Sequence, residues 1–259
     1  MTGPIGLHGG GEYLPGDERF LDALLVAARR AAVSRAELLT EDRGADVAAH
    51  AVKEPQINVV ILPTAAARGR PGVAAAIGAA AFERRAATCG LTARVDVALV
   101  VDAASADDQA LAALIADADL IHLPGGDPDI VPGLLDGSPA GLSVREARAR
   151  GAVVGGASAG AMVLAEWSWT PQGGIHGLGF VRGLAVVPHY DDVRRLAWQA
   201  GLDRVAPAGL GYLGLDERTG VISADGRWRV AGEGAAYWFP PGSSAPVVGR
   251  DGDLLTLAG

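Results

Sequence analysis

The sequence holds a single cysteine, Cys89, in 259 residues. That excludes an intramolecular disulfide and a cysteine-built zinc cluster, and Cys89 reads as a small buried residue where a helix gives way to a strand. A basic run is also missing: 22 Lys and Arg stand against 30 Asp and Glu, a net charge of −8. Nucleic acid and anionic membrane surfaces are therefore not expected partners. No unbroken apolar stretch reaches the ~18 residues of a membrane span. The N-terminus shows no basic region running into an apolar stretch and a cleavage site, so a cytoplasmic location is expected. The histidines His8, His50, His122, His176 and His189 show no HExxH-type spacing, and no metal site is expected.

What the chain has is glycine, 37 residues, and proline, 15. That is short of a disordered composition and reads as many tight turns between packed elements. Apolar runs at Pro4–His8, Ile57–Leu62, Leu120–Leu123 and Ala152–Val154, and polar–apolar alternation over Ala93–Val101, predict strands. Helical spacing fills the gaps, over Asp17–Ala32 (with Asp17 as cap), Gly72–Thr88, Ala106–Ala116 and Ser143–Arg150. Ser34–Pro55 is polar and weakly patterned, a surface helix and loop. The alternation predicts an α/β fold, a mostly parallel sheet with helices on both faces. After an apolar run at Phe180–Val187 and a helix over Val193–Gly201, the pattern changes to short C-terminal β-strands with turns such as Asp225-Gly226. Trp167–Pro171 reads as a loop, an aromatic wall or simple packing, and Gly173–Gly177 as a flexible loop. No linker or repeat divides the chain, so one domain over 1–259 is expected.

The most informative stretch runs from Val153 to Leu164, where Gly156-Ala157-Ser158-Ala159-Gly160 joins a buried strand to a helix. The form G-x-S-x-G marks a nucleophile elbow, in which small flanking residues let a strained serine project from the strand's end. A helix-capping serine is the competing reading. A hydroxyl needs a base to attack an amide. His189, after an apolar strand, is the better candidate, and His176 is the other. The N–H of Ala159 and one from the Gly125-Gly126 loop are candidate oxyanion donors. Gly9-Gly10-Gly11-Glu12 matches no nucleotide-binding motif and reads as a loop approaching an active site.

Gly156–Ala161, with Pro124-Gly125-Gly126-Asp127 before it, resembles serine peptidase family S51, which contains cyanophycinases and α-aspartyl dipeptidases. Val187–Asp191, Leu213–Thr219, Val230–Gly234 and the Gly9–Gly11 loop fit the same family in the same order. The resemblance implies a flavodoxin-like fold related to class I glutamine amidotransferases. It also implies a Ser158–His189 pair, with the oxyanion held by Gly126 or its neighbour and by Ala159. For the third, orienting carboxylate the candidates are Glu217, Asp191 and Asp216, the Asp216-Glu217 pair having a structural alternative as a turn brace. Asp127, Arg194 and Arg195 are candidate substrate contacts, the arginines pairing with a carboxylate or simply facing solvent. Cyanophycinases generally have glutamine where this chain has Pro128, and a more arginine-rich segment after the histidine.

The expected activity is therefore serine hydrolysis of small peptides or isopeptides, such as aspartyl dipeptides or β-Asp-Arg units, without a cofactor. A homodimer is the partner state that the family implies. A non-catalytic amidotransferase-like binding domain is the alternative. An α/β-hydrolase esterase fits less well, because the chain after Ser158 reads mainly as short strands and its downstream histidines come early.

Overall fold

The computed structural model describes residues 2–41, 55–191, 195–224 and 226–257. Residues 42–54 of the weakly patterned segment, His50 among them, lie outside the described residues, as do Arg194 and Asp225.

Five strands make the parallel part of the principal sheet: β1 (Ile5–His8), β2 (Ile57–Ile61), β3 (Ala93–Val97), β4 (Leu120–Leu123) and β5 (Val153–Ala157). Their lateral order is β1-β5-β4-β2-β3. Among the described residues, the α-helices of this half are α1 (Glu18–Glu41), α2 (Pro71–Thr88), α3 (Ala103–Ala106), α4 (Gln109–Ala116), α5 (Val131–Leu135), α6 (Pro139–Ala149) and α7 (Ala159–Leu164).

The inner strands β1, β2, β4 and β5 are buried throughout because both faces of the sheet are covered, whereas the edge strand β3 is partly exposed. In β2, Ile57, Val59 and Ile61 enter one buried cluster with Phe20, Leu24 and Leu25 of α1 and Phe82 of α2. The alternate residues Val60 and Leu62 enter the opposite cluster with Ile115 of α4, Leu135 of α5 and Val144 of α6. That is the period-two alternation of a strand buried on both sides. The fold is thus the flavodoxin-like α/β arrangement, helices on both faces of a mostly parallel sheet.

The second half builds β6 (Ala165–Thr170), β7 (Gly173–His176), β8 (Val181–Val187), α8 (Arg195–Val205), β9 (Gly211–Leu215), β10 (Thr219–Ala224), β11 (Arg227–Gly232), β12 (Ala235–Phe239), β13 (Val247–Arg250) and β14 (Leu254–Leu255). Strands β10, β11 and β14 extend the principal sheet outward from β1, each antiparallel to its inner neighbour. The others form a second sheet in the order β13-β12-β9-β8-β6-β7. Leu184, Val186, Leu213 and Trp238 of that sheet share the buried cluster of Ile5, Leu7 and Val154. Its other face packs Ala185, Val187 and Phe239 with Leu202 of α8.

Two expectations change. Trp167–Thr170 and Gly173–His176 are paired strands rather than loops, with Trp167 opposite His176. Each was read alone, whereas β6 is held by pairing with β7 and β8. Cys89 does sit at a helix end, but it is exposed, because it lies beyond Ala86, the last buried position of α2.

The junction of the two sheets positions the site. The chain leaves β9 in the second sheet and enters β10 in the first through residues 216–218, while β8 ends just before His189.

Candidate active site

Ser158 stands between β5 and α7 with φ 50 and ψ −115, a backbone conformation rare for a residue with a side chain. Its glycine neighbours have a steric cause. A Cβ at Gly156 would lie 2.4 Å from the Gly160 carbonyl carbon, and one at Gly160 would lie 2.0 Å from the Leu123 oxygen. The turn therefore closes only with hydrogen at both positions.

Ser158 Oγ lies 2.9 Å from His189 Nε2, and His189 Nδ1 lies 2.8 Å from Glu217 Oε1. The tautomer that serves both contacts carries its proton on Nδ1, donating to Glu217 and leaving Nε2 to accept from the serine. His189 and Glu217 retain 27% and 38% exposure, so the relay opens to solvent on one side. His189 also has positive φ, 51, and its N–H donates to the Gly9 carbonyl at 2.7 Å. Gly10 lies against the imidazole: a Cβ there would sit 2.2 Å from Cε1.

Of the acidic candidates, Glu217 is the one in contact with His189. Asp216 points the opposite way and accepts the Ala235 N–H at 2.9 Å, bracing the entry to β12. Asp191 accepts the Arg195 N–H through its carbonyl, at the start of α8. His176 is carried away on β7, in a hollow lined by Asp136, Arg145, Glu166 and Arg182.

The Gly125-Gly126 loop reaches the serine: a Cβ on Gly125 would meet Ser158 Cβ at 3.3 Å. The Gly125 N–H donates to Glu12 Oε1 at 2.8 Å, so a carboxylate already occupies one candidate oxyanion donor. Gly126 has φ 151, and a Cβ there would lie 2.2 Å from the Ala65 oxygen. Ala159 opens α7, where helix N–H groups lack intrahelical acceptors. Asp127 turns to local partners, accepting from Asp129 N–H at 3.0 Å and pairing with Arg68 at 2.6 Å. The Arg195 guanidinium lies over the rings of Tyr190 and Tyr237, 4.9 and 4.8 Å from their centroids.

The approach of the glycine loop was legible in Gly9–Gly11, and His122 is the core strand residue expected of it, but the bonds among the groups behind the loop were not legible. His122 is buried and bonded to the Tyr13 hydroxyl at 2.8 Å. Burial, with the neighbouring His8 second, holds its pKa down at about 3, so this imidazole is neutral. Burial likewise drives the Tyr13 phenol well above its ordinary range, helped by the charges of Glu12 and Asp17. His8 and Asp17, read as a strand residue and a helix cap, form a buried pair behind the loop. Among the described residues no group of three or more His, Cys, Asp and Glu could hold a metal ion. No helix among them is long and apolar enough to cross a membrane.

No protein-family model matches the chain. It is 32% identical over 160 residues to cyanophycinases from Synechococcus elongatus and from Thermosynechococcus vestitus (strain NIES-2133 / IAM M-273 / BP-1). The match covers 57% of this chain and 49% of each relative, so the chain spans about half the length of the curated relatives it matches. The relatives support the S51 resemblance. Among solved structures, a peptidase from an acI-B1 Actinobacterium superposes with TM-score 0.75 over 99% of this chain and 97% of its own, at 23% identity. A putative peptidase E protein from Listeria monocytogenes EGD-e gives TM-score 0.50 at 13% identity, over 96% of this chain and 99% of its own. These two show the α/β fold.

Proposed function

We propose that the chain is a serine peptidase of the S51 kind, acting on small peptides or isopeptides with aspartyl or β-aspartyl-arginine linkages. The observation that carries this reading is the relay of hydroxyl, imidazole and carboxylate at 2.9 and 2.8 Å, with the serine in a strained strand-to-helix turn. In this reading the turn is a nucleophile elbow.

His189 Nε2 takes the Ser158 proton as Oγ forms a bond to the scissile carbonyl carbon. Glu217 accepts from Nδ1–H, which fixes the tautomer and stabilises the imidazolium that forms. The oxygen of the tetrahedral intermediate is held by the Ala159 N–H and by the Gly125-Gly126 loop, where it displaces or sits beside Glu12. As the intermediate collapses, the imidazolium passes its proton to the leaving amine. Water then attacks the acyl-enzyme, giving its proton to His189, and Ser158 leaves with a proton returned from the same ring. The chain's own groups suffice for each of these steps.

The Glu12 carboxylate on the Gly125 N–H favours a second reading, a binding domain that keeps the serine turn without turnover. One assay separates the two. Aspartyl dipeptides and β-aspartyl-arginine are incubated with the wild type and with Ser158→Ala, and free amine release is followed. Release by the wild type alone supports the peptidase. Equal release by both proteins, or saturable binding with no release by the wild type, contradicts it.

A further inference from the structure

Of three consecutive carbonyls at the first glycine loop, two hold the serine and histidine of the relay and the third holds the residue that follows its carboxylate. The His8 carbonyl accepts the Ser158 N–H at 2.9 Å, and the Gly9 carbonyl accepts the His189 N–H at 2.7 Å. The Gly10 carbonyl accepts from Arg218, the residue after Glu217, at 2.8 Å. Nucleophile, base and orienting carboxylate come from three distant stretches of chain, and one tripeptide registers all three.

That tripeptide is intrinsically loose. Two of its three residues are glycine, with Gly10 at φ 104, and glycine has more backbone freedom to lose than any other residue. The Gly9 N–H donates to the Thr219 carbonyl at 2.9 Å, and buried side chains hold the rest. His8 Nδ1 accepts the Gly10 N–H at 3.2 Å, and His8 Nε2 lies 2.8 Å from Asp17 Oδ1. Asp17 Oδ2 accepts the N–H of Tyr13 at the loop's far end, at 2.8 Å. Both side chains are buried, at 0% and 1% exposure. Neither His8 Nε2 nor Asp17 Oδ1 has another polar partner among the described residues, so each depends on the other to offset its burial.

We propose that His8 and Asp17 are positioning residues for the reaction, a buried pair that clamps both ends of the glycine loop. Through the loop's carbonyls it holds Ser158, His189 and Glu217 in register. The proposal rests on the peptidase reading of those three residues. It differs from a simple anchoring of α1 to β1, because displacing the loop moves all three reacting groups together. A displacement of about 1 Å is enough to cost about a hundredfold in rate.

The test uses the full chain and a small fluorophosphonate, with labelling of Ser158 followed by mass spectrometry against probe concentration. Asp17→Asn keeps the size and an acceptor for Tyr13 but removes the charge opposite His8. His8→Gln keeps a donor towards Asp17 and loses the acceptor for Gly10. Each is expected to lower the maximal labelling rate about 10- to 100-fold, with the half-saturating probe concentration unchanged. The double variant should label no more slowly than the slower single, as expected of residues acting as a unit. The downfield proton resonance of His189 Nδ1–H should shift or broaden in each. Should Asp17→Asn fail to fold, His8→Gln carries the same comparison, with its circular dichroism as the check on folding. Folded variants that label at the wild-type rate overturn the proposal and leave the peptidase reading standing. A wild type that is not labelled at Ser158 overturns both.

Discussion

The two ends of β1 differ in kind. At its carboxyl end lie Tyr13, Ser158, His189 and Arg218, the only non-glycine residues with positive φ among the described residues. Beside its amino end lies a hollow of about 940 Å³ bordered by Arg19, Arg30, Arg148, Arg229, Asp22 and Asp251, with no such residue among them. The roomy end holds none of these residues, and the end that carries the serine, histidine and glutamate holds all four. Sparsely populated backbone conformations cost about 1–3 kcal/mol each and persist only where surrounding structure over-determines them. Here they coincide with the hydroxyl, the imidazole and the carboxylate contact. Strain with converging polar groups marks the site where volume does not.

The hardest break of that comparison is removal of the relay itself. Ser158→Ala should abolish hydrolysis while circular dichroism stays native. His189→Ala should cost several orders of magnitude in rate, and Glu217→Gln roughly 10²- to 10⁴-fold, by analogy with other triads. His176→Ala and Asp216→Asn should leave the rate within about threefold, as expected for residues outside the relay. Rates on one peptide substrate check all five.

Two glycines with positive φ test the role of place. Gly10→Ala puts a methyl into the His189 ring and should lower the labelling rate of Ser158 at least tenfold. Gly226, near the amino-end hollow, has φ 76, and a Cβ there would meet nothing within 4 Å. Gly226→Ala should cost only about 1 kcal/mol of stability, the αL penalty, with unchanged labelling. Thermal melts and labelling rates on the pair read both effects.

Acid should loosen the region behind the relay. His122 has a folded pKa of about 3 against an ordinary value of 6.5. The unfolded chain binds that proton first, so this contribution to stability is present above pH 6.5 and is lost as pH falls towards 3. The loss approaches ~1.4 kcal/mol per pH unit. His122→Asn should flatten that part of a plot of melting temperature against pH.

The smallest effect concerns Glu12. Its carboxylate competes for the Gly125 N–H and repels a developing oxyanion. Glu12→Gln should speed phosphonylation by a neutral probe severalfold, measured under the same labelling conditions.

Much of the α/β frame was legible because the inner parallel strands β1, β2, β4 and β5 are buried on both faces and written as mainly apolar runs between helices. The serine turn was legible for a steric reason, since only hydrogen fits at Gly156 and Gly160. The second sheet was less so. Its strands were visible singly, but the parallel pairing of β6 with β8 and β8 with β9 joins stretches whose order no local pattern encodes. Asp216 and Glu217 are neighbours that point to opposite partners, Ala235 and His189, and sequence does not state which way each faces. His8 looks like any strand residue until the fold brings Asp17 beneath it.

The most direct test of the central claim is covalent labelling of the wild type, Ser158→Ala and His189→Ala by a serine-reactive phosphonate, read residue by residue by mass spectrometry. A single adduct is expected, on Ser158, absent from Ser158→Ala and slowed by orders of magnitude in His189→Ala. An adduct on another residue, or labelling of Ser158 at the same rate with and without His189, would contradict it.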